Sequence, residues 1–140
     1  MAAFSYFRTI HFADTDAAGV VFFARYLAIA HEAYEEALAA IGIPLHTFFN
    51  DHGIVIPVAK SEAAYRRPLV CGEKIRVDLQ PQRISDNTFS LAFELFKVGP
   101  PEKRAAIMRT EHVCIDATTR ARLPLPEPLA AWVDAGSSLS

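Results

Sequence analysis

The chain has 140 residues, near the modal size of one domain and too short for two comfortable cores. Hydrophobic residues make up 51% and charged residues 21%, which excludes disorder, and a net charge of −2 without any basic run argues against nucleic acid as a partner. No apolar stretch approaches the ~18 residues of a membrane span, and residues 1–6 carry no targeting pattern, so a soluble, cytoplasmic protein with no membrane contact is expected.

Residues 4–12 alternate loosely, with Phe4, Tyr6, Ile10 and Phe12 on one side and Phe7 breaking the pattern, as in a half-buried strand. Residues 13–19 (Ala-Asp-Thr-Asp-Ala-Ala-Gly) form a small, acidic loop. From about 25 to 41 the period changes. Leu27, Tyr34, Leu38 and Ile41, with the small Ala30 and Ala37, recur at three- and four-residue spacing, while Arg25, Glu32, Glu35 and Glu36 fall largely off that stripe. This is one long helix, closed by Gly42 and Pro44, with alanines that allow close packing under a sheet.

Residues 45–52 suit a short helical turn. After Gly53 comes Ile54-Val55-Ile56-Pro57-Val58, whose proline confines it to an edge, a bulge or a strand start, and an edge strand could pair with another subunit. Residues 62–68, 73–84, 88–98 and 105–117 read as strands, with turns at 85–87 and 99–101. This order predicts an α+β fold, one antiparallel sheet covering one central helix. Residues 123–128 are too proline-dense for a regular element, 129–140 is expected to be a C-terminal tail, and Gly136 onward should fray. Cys71 and Cys114 lack any metal or disulfide spacing and are expected to be reduced and buried.

The chain has no G-x-S-x-G, Walker A, G-x-G-x-x-G or H-E-x-x-H motif. His31-Glu32 begins like a zinc helix but lacks the second histidine, so no metal site is expected. His11, His46, His52 and His112 read as satisfied polar residues. The informative segment is Asp14-Thr15-Asp16-Ala17-Ala18-Gly19-Val20-Val21-Phe22-Phe23. A carboxylate in this loop lies near the unpaired N–H groups and positive dipole end of the following helix, beside apolar walls. Either the aspartates are turn and capping residues, or one is a nucleophile or base for acyl transfer, with helix-end N–H groups polarising a carbonyl.

Residues 12–26 resemble the D-x-D-x-x-G signature of hotdog-fold acyl-CoA thioesterases of the 4-hydroxybenzoyl-CoA thioesterase type, and the resemblance extends from about residue 4 to 128. Within that family, residues 13–16, 31–35, 111–115 and 123–126 are most similar to the 1,4-dihydroxy-2-naphthoyl-CoA hydrolases of phylloquinone and menaquinone synthesis. The resemblance implies a single hotdog domain over 1–140, with a five-stranded antiparallel sheet wrapped around the helix. It also implies an acyl-CoA substrate, no cofactor, and a homodimer or homotetramer with sites at the interface.

Residue by residue, it makes Asp16 catalytic and Asp14 structural, places the carbonyl-binding N–H at Phe23, and has Gly19 permit close approach of substrate. No histidine stands at Phe23, so a mechanism using imidazole there is excluded. The basic cluster with which some relatives grip CoA phosphates is replaced by Arg83-Ile84-Ser85-Asp86-Asn87, which leaves Arg66, Arg67 and Arg83 as candidate phosphate contacts. Glu32, Glu35 and Glu36 read as solvated or subunit-contact residues. Rival readings are a 4-hydroxybenzoyl-CoA or short-chain acyl-CoA thioesterase, and a non-catalytic acyl-CoA-binding domain.

Overall fold

The structure is a computed structural model that describes residues 2–138. Strands β1 (Phe4–Thr9), β3 (Val58–Tyr65), β4 (Lys74–Arg83), β5 (Thr88–Lys97) and β6 (Lys103–Val113) form one antiparallel sheet in the order β1-β4-β5-β6-β3. Helix α1 (Phe23–Ala40) lies against it, followed by α2 (Leu45–His52). A two-residue strand β2 (Ile54–Val55) pairs with β7 (Ile115–Asp116), and the described chain closes with α3 (Leu129–Ser137). No described helix is long and apolar enough to cross a membrane.

Alternation in β4 and β5 creates the core. Ile75, Val77 and Leu79 from β4, and Phe89, Leu91, Phe93 and Leu95 from β5, point at the helix and are buried. Each such side chain contributes about 1.5–3 kcal/mol of burial. The buried face of α1 is Tyr26, Ile29, Ala30, Ala33, Tyr34, Ala37 and Leu38. The sequence stripe was therefore phased one position off over part of its length. Leu27 is only half-buried and Ile41 is 40% exposed, because small residues carry much of the contact where the sheet comes closest.

Other expectations shift as well. β1 stops at Thr9, and Phe12 lies in a 3-10 turn (Phe12–Asp14) at 84% exposure, because the chain must turn there to reach α1. Pro57 interrupts 54–58, so β3 begins at Val58 and ends at Tyr65, leaving Arg66 and Arg67 beyond the strand with both N–H groups on the Ala105 carbonyl. The expected strand 105–117 breaks at Cys114, whose N–H turns to the Asn87 carbonyl. Cys114 is buried but Cys71 is exposed, on the loop before β4.

The expected fraying tail is instead α3, packed on β4. Gln80 donates to the Gly136 carbonyl, the Arg83 N–H donates to Ser137 Oγ at 2.8 Å, and the Arg83 guanidinium pairs with Asp134 at 2.6 Å. Gly136 is buried there; Leu139 and Ser140, the rest of the segment expected to fray, lie outside the described residues. A Cβ on Gly136 would stand 2.1 Å from Pro81 Cγ, so the close approach of helix and strand requires glycine. Gly136→Ala is therefore expected to destabilise the protein by about 1–3 kcal/mol, read as a lower urea midpoint, by driving α3 off β4.

Candidate active site

The site is built on Asp14, which is 1% exposed and has its carboxylate filled on all sides. Arg8 Nη1 donates to Oδ2 at 2.8 Å, the His11 N–H to the same oxygen at 2.8 Å, and Arg25 Nη2 to Oδ1 at 2.7 Å. Burial alone would raise the Asp14 pKa, but the hydrogen bonds from Arg8, His11 and Arg25 and the charge of Arg8 outweigh it and bring the group to about 2. Arg8 also pairs with Glu32 at 2.9 Å, and the Tyr6 hydroxyl donates to the same carboxylate at 2.9 Å. Glu32 is thus a strand-to-helix tie rather than a solvated residue. Glu35 pairs with His31 at the surface, and Glu36 is exposed.

From this anchor the chain makes a tight turn. The Gly19 N–H donates to the Asp16 carbonyl, the Asp16 N–H to the Val20 carbonyl, and Thr15 bridges Val21. Gly19 has φ +82°, and a Cβ on it would meet no protein atom, so here glycine answers a backbone demand. The Asp16 side chain is exposed, and its Oδ1 accepts the Ala18 N–H at 2.9 Å, an Asx turn that orients the carboxylate. Asp14 and Asp16 are therefore chemically unlike: the first is saturated with donors, the second is held by one.

Asp14 also accepts the Phe22 N–H on its carbonyl, which sets the entry to α1. Phe22 is the N-cap residue with φ −63° and ψ 136°, and no side chain caps the helix. Among the described residues the Phe23 N–H has no acceptor, as expected at a first helical position. Phe23 lies in the wall of an open cavity of about 340 Å³ with Val21, Tyr26, Tyr65, Arg66 and Arg67. The Tyr65 hydroxyl donates to the Phe23 carbonyl at 3.2 Å, and the Tyr65 ring meets Tyr26 edge-on at 5.0 Å, joining the end of β3 to the start of α1. Asp16 and Gly19 stand on the turn that leads into this wall and are not part of it.

Phe23, Leu27 and His31 follow one helix face at four-residue steps, each about 6 Å further along. A second, smaller cavity of about 170 Å³ lies in that direction, between α1 and the sheet, lined by Leu27, His31, Tyr34, Ser61, Thr110 and His112 among others. Because Tyr65 of β3 lines the first cavity and Ser61 the second, the two form successive stations along the α1–β3 seam. His112 is buried, stacked on Phe89 at 4.8 Å, with Nε2 2.7 Å from Thr110 Oγ1 and Nδ1 unpartnered. Burial, reinforced by His31, lowers its pKa to about 4.

Of the phosphate candidates, Arg66 and Arg67 share the Phe23 cavity, exposed and without an acceptor among the described residues. Arg83 does not. Its guanidinium is occupied by Asp134 and the Ser85 carbonyl, at the end of β4 opposite Lys74, about 30 Å away along a ten-residue strand. Sequence reasoning missed Arg8, Tyr26, Tyr65, Ser61 and Thr110, which come from four separate elements, β1, α1, β3 and β6, and it took His112 for an ordinary satisfied residue. Among the described residues no group of three His, Cys, Asp or Glu side chains could hold a metal ion.

The model of the thioesterase-like superfamily matches residues 10–133. A 1,4-dihydroxy-2-naphthoyl-CoA hydrolase from Thermosynechococcus vestitus is 45% identical over 128 residues, covering 91% of this chain and 86% of its own. One of the same name from Microcystis aeruginosa is 44% identical over 134 residues, covering 96% and 95%. In three dimensions the chain is similar to the crystal structure of a 1,4-dihydroxy-2-naphthoyl-CoA thioesterase from Synechocystis, with TM-score 0.89, 30% identity and 94% and 95% coverage. A putative thioesterase from Prochlorococcus marinus gives TM-score 0.87 at 31% identity, covering 95% of each chain.

Two titrations should be visible in stability. The folded pKa of His112, about 4, is below its usual 6.5, so stability is unaffected by this group above pH 6.5 and falls by up to about 3 kcal/mol as pH drops from 6.5 through 4, where the unfolded chain takes up the proton first. The folded pKa of Asp14, about 2, is below 3.8, so its contribution of about 2 kcal/mol is complete above pH 3.8 and lost on falling through 2. Urea midpoints measured against pH should fall in these two windows, with His112→Asn flattening only the first. At neutral pH, Asp14→Ala should lose about 1–3 kcal/mol by removing the acceptor that ties Arg8, the His11 N–H and Arg25 together, whereas Asp16→Asn should change stability by less than about 1 kcal/mol.

Proposed function

This chain belongs to the thioesterase-like superfamily, and on that footing we propose that it hydrolyses an aromatic acyl-CoA, 1,4-dihydroxy-2-naphthoyl-CoA, to the free acid and CoA. The observation that carries the mechanism is the acceptor-free Phe23 N–H at the start of α1, reached from the turn that holds Asp16. The thioester carbonyl oxygen accepts this N–H, and the helix end stabilises the negative charge that develops on it.

Asp16 supplies the other half of the chemistry by one of two routes. Its free oxygen attacks the carbonyl carbon, the C–S bond breaks, CoA leaves as the thiol after protonation, and water hydrolyses the resulting anhydride. Alternatively Asp16 takes a proton from a water that attacks directly, and the proton passes to the departing thiolate. Phe23 contributes its backbone and an apolar wall. Arg66 and Arg67 stand at the mouth, where CoA would leave the cavity, and Gly19 gives the turn its shape.

An aromatic acyl group is supported by the second cavity. From the Phe23 N–H the next two steps along α1 are Leu27 and His31, about 6 and 12 Å away, so a fused ring extends between them onto Tyr34. The hydroxyls of Ser61 and Thr110 line the same space and suit an acyl group that carries hydroxyls.

The exposed Val58 and Tyr65 on the edge strand β3 favour a homodimer or homotetramer in which a second copy covers that edge. In this reading residues 1–140 act as one domain, in the cytoplasm, in phylloquinone or menaquinone synthesis.

The test is thiol release from 1,4-dihydroxy-2-naphthoyl-CoA beside 4-hydroxybenzoyl-CoA and aliphatic acyl-CoAs. Preference for the naphthoyl thioester is expected, and turnover of none of them leaves a binding domain. Asp16→Asn should lower kcat about 10³-fold with KM little changed. Phe23→Pro should lower it 10²-fold or more, roughly, by deleting the donor. Proline is tolerated at a first helical position, and Phe22 already has the extended backbone that must precede it. Phe23→Ala, which keeps the N–H, should retain most activity.

A further inference from the structure

Beside the site, separated from it by the 66–73 loop, lies an open hollow of about 390 Å³ lined by Lys74, Lys97, Lys103, Glu73 and the Gly99-Pro100-Pro101 turn. We propose that this hollow holds the phosphates of the CoA nucleotide; the proposal rests on the acyl-CoA reading above.

The charges there are arranged at a cost. Lys97 and Lys103 are direct cross-strand partners in the β5–β6 register, and like charges in that relation destabilise a sheet. The one carboxylate lining the hollow, Glu73, is 3.3 Å from Lys97; Lys74 donates to the Thr9 hydroxyl, and Lys103 has no acceptor among the described residues. The neighbouring cations differ. Arg76 is paired with Asp78 and Glu102, and Arg104 with Glu94. The positive surplus at this end of the sheet is thus concentrated in the hollow, where a multiply charged anion would relieve the repulsion.

Position and reach agree with this. Pro68 lines the Phe23 cavity and Glu73 the hollow, five residues on, so the two can be at most about 18 Å apart along the chain. The loop between them is tied down: Val70 and Glu73 exchange hydrogen bonds, and the Gly72 N–H donates to the Ile10 carbonyl at 2.8 Å. The arm of CoA from sulfur to the first phosphorus is about thirteen bonds, the backbone length of some four residues. It can cross over the exposed Val70 with its thioester at Phe23 and its phosphates among the lysines. Arg83, at the other end of β4 and engaged by Asp134, is not in position to share the task.

The experiment is calorimetric titration of the full chain with CoA, 3′-dephospho-CoA and pantetheine, for the wild type, Lys97→Gln/Lys103→Gln and Arg66→Gln/Arg67→Gln. Circular dichroism would establish that each is folded, and the milder Lys103→Gln alone serves if the double variant is not. The wild type is expected to bind CoA more tightly than pantetheine, and the lysine variant to lose about tenfold or more in CoA affinity, with most of that preference gone. Equal binding of CoA and pantetheine by the wild type overturns the proposal. So does unchanged CoA affinity in the lysine variant, or a loss confined to the arginine variant. These titrations need no turnover. CoA affinity lost as expected without hydrolysis of any acyl-CoA would remove the activity and keep the phosphate site, and hydrolysis with unchanged affinity would do the reverse.

Discussion

A carboxylate as deeply buried as that of Asp14 survives ionised because two guanidinium groups and a backbone N–H converge on it, and the geometry of the site follows from that convergence. Arg8 comes from β1, His11 from the bend after it, and Arg25 from the first turn of α1. A single ion cluster thus ties the start of the sheet to the start of the helix, and Glu32 repeats the tie one face along through Arg8 and Tyr6. With residue 14 fixed at one end and Val21 bridged to Thr15 at the other, the intervening turn has little freedom, and Asp16 projects from it in one orientation. Two aspartates of identical intrinsic chemistry, two residues apart, differ in what surrounds them: Asp14 is buried among three donor groups, and Asp16 is exposed with one backbone N–H on its carboxylate.

The cleft depends on a second constraint, the closeness of α1 to the sheet. Ala30, Ala33 and Ala37 put little bulk between helix and strands, which lets aromatic side chains at the margins, Tyr26, Tyr34 and Tyr65, define the walls. The helix start is left without a side-chain cap, a local loss of stability that any of Ser, Thr, Asp or Asn at position 22 would reduce. What stands there is Phe22, so the N–H groups of the first turn stay open to a ligand. That choice makes sense if a carbonyl oxygen completes the cap in the bound state.

Much of this was legible in the chain itself. The long helix was recognisable from its period and its glycine and proline stop, and the strands 73–84 and 88–98 from alternation between turn residues, because each of these signals is local. The errors share one cause. Phe12, Gly136 and the 129–137 segment were assigned by local propensity, and in each case a contact distant in the sequence decides: the turn toward α1, Pro81 of β4, and the packing of α3 on β4. The site divides in the same way. The Asp-x-Asp-x-x-Gly loop and Phe23 are contiguous and stand out in the chain as candidates, whereas Ser61, Thr110 and His112 reach the cleft from β3 and β6, and no spacing in the chain foretells it. Arg83 looked as eligible as Arg66 until Asp134, 51 residues on, was seen to occupy it.

His112 shows how the core and the cleft share one element. A neutral imidazole sandwiched against Phe89 and near Tyr34 packs like an aromatic residue, yet it keeps one nitrogen on Thr110 and leaves the other buried without a partner. An unpaired buried nitrogen costs about 1–3 kcal/mol, which a phenylalanine in the same slot would avoid. Retaining a histidine in the wall of a cavity whose other polar groups are the hydroxyls of Ser61 and Thr110 therefore argues that this wall meets polar atoms in the working state. The anomaly and the proposed ligand explain each other: a hydroxylated ring needs donors and acceptors in an otherwise apolar slot, and this is the slot along the α1–β3 seam that has them.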